Sequence, residues 1–459
     1  MAEHIRRLVI ALVLIAGCGA AYARVADDDA ALAQAIRAND VTGAELALAH
    51  HADPNQKLAF GATPLGWAVN TQNPAMVALL LAKGATPNAA DIDGVTPLAL
   101  ACELGDAGVI AELLAAHADL RATRPDGTTP LAICARYGPA DAVARMLTAG
   151  ATADSVDERG QTPLMWAAAS GRVEAIALLL KGGADANRVS KAGFTPLFFA
   201  IKSGVVPATE MLLAAGARPD YRGPGHTSAA QLALYQKNYG AAVLLVARGA
   251  DVGERDREGN QLLHGAAAGG DGVLVAALLA KGADPNGLTG PSQIKWVTEA
   301  NFGRPPPHVP PTPPLLIAAA NGQIAAMKLL LAAGADPRFV AENKTNVTLA
   351  AARGGSASAL ELALSLAPDV NVVNANGETP LHLVVSGGPQ PDLAAMLKIL
   401  AAHGARTDIK SSYNMTAAEM ADGGLTEVKA VFRAIFPDQH GVPLAGTGAK
   451  PTISTATKN

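Results

Sequence analysis

The chain has 459 residues, half of them hydrophobic, with 17% charged, 4% aromatic, 46 glycines and 30 prolines. It is too apolar for a disordered chain and too long for one conventional hydrophobic core. A net charge of -4 gives no global electrostatic drive towards nucleic acid or an anionic membrane, so partner choice has to come from local patches.

Residues 1–23 have the form of a bacterial-type export signal: Arg6 and Arg7 precede the apolar run Leu8 to Ala16, and small residues follow. The run is too short to span a bilayer, and Asp27, Asp28 and Asp29 come soon after it. Two processing patterns overlap. Ala21-Tyr22-Ala23 fits small-x-small cleavage, whereas Ile15-Ala16-Gly17-Cys18 resembles the lipobox of lipoproteins and would leave Cys18 lipidated. Both stay open, and both predict an exported protein, soluble in the periplasm or lipid-anchored to the envelope.

From residue 27 onward the chain repeats itself every 33 residues. Thr-Pro-Leu begins at Thr63, Thr96, Thr129, Thr162, Thr195 and Thr379, and a second marker, usually Gly-Ala, lies 21 residues after each of the first five. Counting back from that second marker places eroded starts at Ser228, Gln261, Pro313 and Asn346, while Ala30 and Thr416 complete the ends. The count is twelve repeats, eight over 27–286 and four over 313–436. Threonine caps a helix and proline is preset for its first turn, so each start opens a short helix that ends at glycine. A second helix follows in each unit, as Val173 to Lys181 with Ile176, Leu179 and Leu180 at helical spacing. Between units, segments such as Asp91-Ile92-Asp93-Gly94 carry turn chemistry and project as hairpins.

The unit Glu158-Arg159-Gly160-Gln161-Thr162-Pro163-Leu164 through Gly183-Ala184-Asp185-Ala186-Asn187 closely resembles the ankyrin repeat. That resemblance implies an all-α repeat solenoid of stacked helix-turn-helix units with projecting β-hairpin loops and a concave groove that binds protein. In the family the residue after Thr-Pro-Leu is a histidine that hydrogen-bonds to the next repeat. Only His264 and His382 keep it here.

Two breaks interrupt the period. An insertion over 287–312 is proline-rich and carries Trp296, Phe302 and Arg304; it reads either as a binding finger or as a tolerated surface loop, and the aromatics favour the finger. Four extra residues around Gly388-Pro389-Gln390-Pro391 look structural. The tail, 437–459, has no periodicity and the composition of a disordered segment.

Large side chains concentrate in the repeats beginning at Thr129, Thr162 and Thr195. Tyr137, Met165, Phe194 and Phe198, flanked by Arg136 and Lys202, form a candidate hot spot facing the groove, while Trp166 and Phe199 fall one position on, where packing between repeats is expected; the alternative is that all six large side chains fill the stack. Cys102 and Cys134 sit in adjacent first helices. Packed helices lie about 8–10 Å apart and a disulfide wants Cα atoms within about 7 Å, which favours two buried free thiols. His117 stands at a helix-ending position, so a zinc site with those cysteines is not expected. No nucleophile elbow, zinc-protease, phosphate-loop or dinucleotide motif occurs. The expectation is a non-catalytic scaffold of the periplasm or envelope that needs no cofactor, metal or nucleic acid and binds a protein partner. The alternatives are an enzyme or small-ligand receptor with a pocket under 287–312, or an exported effector.

Overall fold

The computed structural model describes residues 27–293 and 310–437, which divide into two compact units, Met1–Leu245 and Val246–Asn459. In the first unit, short first helices at 27–37, Pro64–Asn70, Pro97–Leu104, Pro130–Tyr137, Pro163–Ala169, Pro196–Ser203 and Ala229–Tyr235 alternate with second helices from Val41–Ala49 to Tyr239–Ala247. The second unit repeats the scheme from Leu262–Gly269 and Gly272–Ala280 to Ala417–Gly423 and Thr426–Ile435. Among the described residues this makes twelve helix pairs and no sheet.

The local chemistry explains each helix start. Thr96 and Thr129 are extended N-caps whose hydroxyls accept the amides of Ala99 and Ala132 at 3.2 and 3.3 Å, and Pro97 and Pro130 open the helices behind them. Where the motif has eroded, Ser228, Asn346 and Thr416 cap in the same way. First helices stop where a left-handed residue is needed, as at Gly105 with φ 74°. The hairpins are minimal. In the Asp157 turn the buried carboxylate accepts the amides of Arg159 and Gln161 at 2.9 and 2.8 Å, and elsewhere isolated bridges such as Arg222 with Ser228 suffice.

Three residues beyond the N-cap, the side chain of most first helices turns inward, Gly66 and Glu419 excepted, and this position joins one repeat to the next. It holds Ala99, Ala132, Met165, Phe198, Leu316 and Leu349, all buried, and also the buried His264 and His382. His382 accepts the Thr379 amide on Nδ1 at 3.2 Å and donates from Nε2 to the Met415 carbonyl of the following repeat at 3.2 Å. His264 does the same with Gln261 and Gly287, at 3.1 and 2.9 Å. In the repeat beginning at Ser228 a glutamine takes over, the Gln231 carbonyl oxygen accepting the Ser228 amide at 3.1 Å.

A second tie is polar and recurs along the chain. Asn187 donates to the Gly216 carbonyl at 3.0 Å and accepts the Arg218 amide at 2.8 Å, so the end of one repeat grips the end of the next one's second helix. Asn55, Asn286 and Asn371 make the same pair of bonds. The Asn286 pair reaches Gly334 and Asp336 across the insertion at 2.9 and 2.7 Å. Thr289 and Thr312 close the base of the insertion with bonds of 3.0 and 3.1 Å. The repeats on either side therefore stack in ordinary register. Trp296, Phe302 and Arg304, like Cys18 and most of the 437–459 tail, lie outside the described residues.

Burial holds the His264 and His382 imidazoles below their ordinary pKa, with the carbonyls they meet opposing the shift only in part. Between the lowered folded value and about 6.5 the unfolded chain binds more protons than the folded one. Their contribution is therefore complete above about pH 6.5 and is lost as pH falls through the folded value. Because Gln231 already fills this position, the His264→Gln/His382→Gln variant should match the wild type in urea unfolding at pH 8 and lose less stability on acidification to about pH 5. Parallel losses in the two proteins would refute the assignment.

Candidate functional site

The first helices and the turns before them share one face, and the face is built from two register positions. Four residues past the N-cap stand Trp67, Leu100, Trp166, Phe199 and Leu232, each half-buried, and seven past it stand Arg136 and Lys202. The intervening N-cap-plus-three side chains point into the stack. This geometry corrects the expectation that Met165 and Phe198 meet a partner, because they are 1% and 3% exposed. Phe198 lies edge-on to Tyr221 of the following repeat, ring centroids 6.0 Å apart, and a methyl group on Gly223 would fall 2.7 Å from its ring. It fills by packing the place where His382 makes a hydrogen bond. Trp166 and Phe199, expected between repeats, are the ones left half-exposed.

What remains is a compact aromatic and cationic patch in the repeats beginning at Thr129, Thr162 and Thr195. The Arg136 guanidinium lies 4.9 Å from the Tyr137 ring centroid and 5.1 Å from that of Trp166, and Arg159 approaches the same indole at 5.7 Å. Arg159 is held by Asp157 at 3.4 Å and Asp126 at 3.8 Å, whereas Arg136 forms no hydrogen bond or ion pair with any described residue. Beside them Phe194, 36% exposed, meets Phe199 edge-on at 6.2 Å and backs onto Phe198 at 6.1 Å. Tyr137 is 44% exposed and Lys202 lies on the surface. Thus Arg136, Tyr137, Phe194 and Lys202 are brought together on one accessible face. Arg159, Trp166 and Phe199 join them; the spacing of four past the N-cap would have singled out the two aromatics, whereas Arg159 comes from the turn three residues before Thr162.

The same face carries a second aromatic centre nearer the N-terminus. Trp67, with Arg37 at 4.6 Å from its ring centroid, forms a rib between two shallow depressions. One, of about 290 Å³, is lined by Ile36, Arg37, Trp67, Asn70 and Thr71, and the other, of about 190 Å³, includes Phe60, Asp91, Asp93 and Leu100. Neither has the enclosed, convergent polar lining of a catalytic pocket. Among the described residues no group of three His, Cys, Asp or Glu side chains is placed to hold a metal. Nor, among them, is any helix long and apolar enough to cross a membrane.

Beneath the patch, Cys102 and Cys134 form a disulfide with Cα atoms 4.5 Å apart, which overturns the expectation of free thiols. The expectation compared unlike distances. Helices whose axes are about 8–10 Å apart bring facing Cα atoms closer by two helix radii of about 2.3 Å each. Ala99, Ala101, Ala132 and Ala135 in the two helices are all buried, and such small side chains allow that approach. The bridge joins the helix Pro97–Leu104 to Pro130–Tyr137, which presents Arg136 and Tyr137. It closes a loop of sequence separation 32, for which a contribution of roughly 2–4 kcal/mol is typical. Adding dithiothreitol should therefore lower the urea midpoint of the wild type and leave a Cys102→Ala/Cys134→Ala variant unmoved. Equal midpoints for the oxidised and reduced wild type would contradict the bridge.

Comparison with known proteins gives three results. A search of the curated proteins returned no match. The chain is similar to a solved structure described as the crystal structure of the ankyrin repeat domain of Bcl-3, a unique member of the IkappaB protein family, with 27% identity, 44% of this chain and 92% of that chain covered, and a TM-score of 0.39. The family model for ankyrin repeats matches residues 32–126, 66–157, 105–190, 131–223 and 315–411. These matches span more than half of the sequence and coincide with the stacked helix pairs, and the chain belongs to the ankyrin-repeat family.

Proposed function

We propose that this protein is a non-catalytic scaffold of the bacterial periplasm or envelope that holds a protein partner on its first-helix face. Ankyrin-repeat domains are in general protein-interaction scaffolds, and the partner and compartment are our reading. The observation that carries it is the patch of Arg136, Tyr137, Trp166, Phe194, Phe199 and Lys202. Exposed aromatics with an unpaired guanidinium are the side chains that dominate binding energy at protein interfaces. The stack is filled by other buried side chains, among them Leu164, Met165, Leu197 and Phe198, whereas Tyr137 and Phe194 remain exposed.

Export has two supports. The sequence of 1–23 has the form of a cleavable signal, and the Cys102–Cys134 bridge suits an oxidising compartment rather than a reducing cytosol. Whether Cys18 carries lipid decides between a soluble and an anchored form. The finger residues Trp296, Phe302 and Arg304 extend the proposal as additional contacts.

Affinity capture from the envelope fraction of the producing cell tests this reading, with wild type compared against a Phe194→Asp/Lys202→Glu variant. The expected result is a protein retained by the wild type and lost with the variant, at unchanged melting temperature. Equal retention by both, or no specific retention, would sink the proposal.

A further inference from the structure

Both tryptophans among the described residues stand in the same setting. Trp67 and Trp166 each lie four residues past an N-cap, and each has, 30 residues earlier, an arginine stacked on its ring: Arg37 at 4.6 Å and Arg136 at 5.1 Å from the centroid. The two pairs are 99 residues apart, three periods of 33, so they recur on the same face of the first unit. No other repeat of that unit combines arginine at the first position with tryptophan at the second.

Neither guanidinium is committed elsewhere. Arg37 and Arg136 form no hydrogen bond or ion pair with a described residue, whereas nearby Arg124 and Arg159 are paired with Glu103, Asp126 and Asp157. Glu103, Asp126 and Asp157 near the second platform are thus taken up by other arginines, which leaves Arg136 without an acidic partner among the described residues. A guanidinium seated over an aromatic ring still has N–H groups to offer, in the fork geometry that matches a carboxylate with two parallel hydrogen bonds. Stacking also fixes the arginine before binding, so little side-chain freedom is lost when a carboxylate arrives.

We infer that Arg37–Trp67 and Arg136–Trp166 are paired carboxylate-reading platforms, and that the partner contributes an extended acidic segment that engages both. This rests on the scaffold reading above and deepens it by naming the chemistry of the partner. Three repeat steps at about 8–10 Å each separate the platforms by roughly 24–30 Å. An extended chain at about 3.3 Å per residue covers that span in roughly seven to nine residues. Two acidic anchors at that separation on one strand gain from effective concentration, so losing either platform should weaken the whole.

The probe is a phage-displayed library of random linear peptides about sixteen residues long, enough to span both platforms, selected on the full mature chain. Selected peptides are then made synthetically and titrated against the wild type, Arg37→Gln, Arg136→Gln and Arg136→Lys. The expected peptides carry two Asp or Glu positions seven to nine residues apart, and each glutamine variant binds them about tenfold more weakly, as loss of a charge-assisted fork predicts. Arg136→Lys keeps the charge without the fork and should not restore affinity. Selected peptides with no acidic bias, equal binding by the glutamine variants, full rescue by lysine, or no selectable peptide would each overturn the inference. The scaffold reading fails separately, if Phe194→Asp/Lys202→Glu leaves capture of the cellular partner intact.

Discussion

Everything in this protein depends on contact between neighbouring repeats. One pair of helices of seven to eleven residues cannot bury its own apolar face, so each repeat is stable only as far as the next one covers it. Two devices provide that cover. The side chain three past most N-caps fills the junction by packing, as Met165 and Phe198 do, or by hydrogen bonding, as His264 and His382 do. The asparagine at the end of each well-formed repeat then grips the following second helix, as Asn187 grips Gly216 and Arg218. That grip is continuous across the 287–312 insertion through Asn286, so chain can be added at the hairpin without breaking the stack.

The same constraint decides which residues are free to act. A large side chain at the junction position is used up by folding, however suggestive it looks in the sequence. One position later Trp67, Trp166 and Phe199 are only half-buried, although Ile133, Ala350 and Leu383 are buried at the same position of their repeats, and Gly265 shows that the stack does not require an aromatic there. Trp67, Trp166 and Phe199 are for that reason stronger functional candidates than Phe198. The arginines above the two tryptophans follow the same logic, since they are stacked in place without being tied by an acid.

Periodicity made the architecture legible. The Thr-Pro-Leu and Gly-Ala spacing located helix starts even where only Ser228 or Asn346 remained, because capping requires a side-chain acceptor at a defined place. The site was only partly legible. Arg136, Tyr137, Phe194 and Lys202 are on the accessible face, but Met165 and Phe198 required knowing which way one helical position points, a rotation of about 100° per residue. The Cys102–Cys134 bridge was missed because an axis-to-axis distance stood in for a Cα separation. The asparagine ties were read only as turn chemistry, since their partners lie about 30 residues away in sequence and meet only after stacking.

The scaffold account reduces to one claim, that a partner rests on the first helices and hairpin turns of the repeats from Thr129 to Ser203. Amide hydrogen exchange of the protein with and without its captured partner addresses this most directly. The account predicts added protection in Pro130–Tyr137, Pro196–Ser203 and the turns carrying Arg159 and Phe194, with Ala140–Thr148, Val173–Lys181 and Val206–Ala214 unchanged. Protection confined to those second helices would place the partner on the opposite face and contradict it.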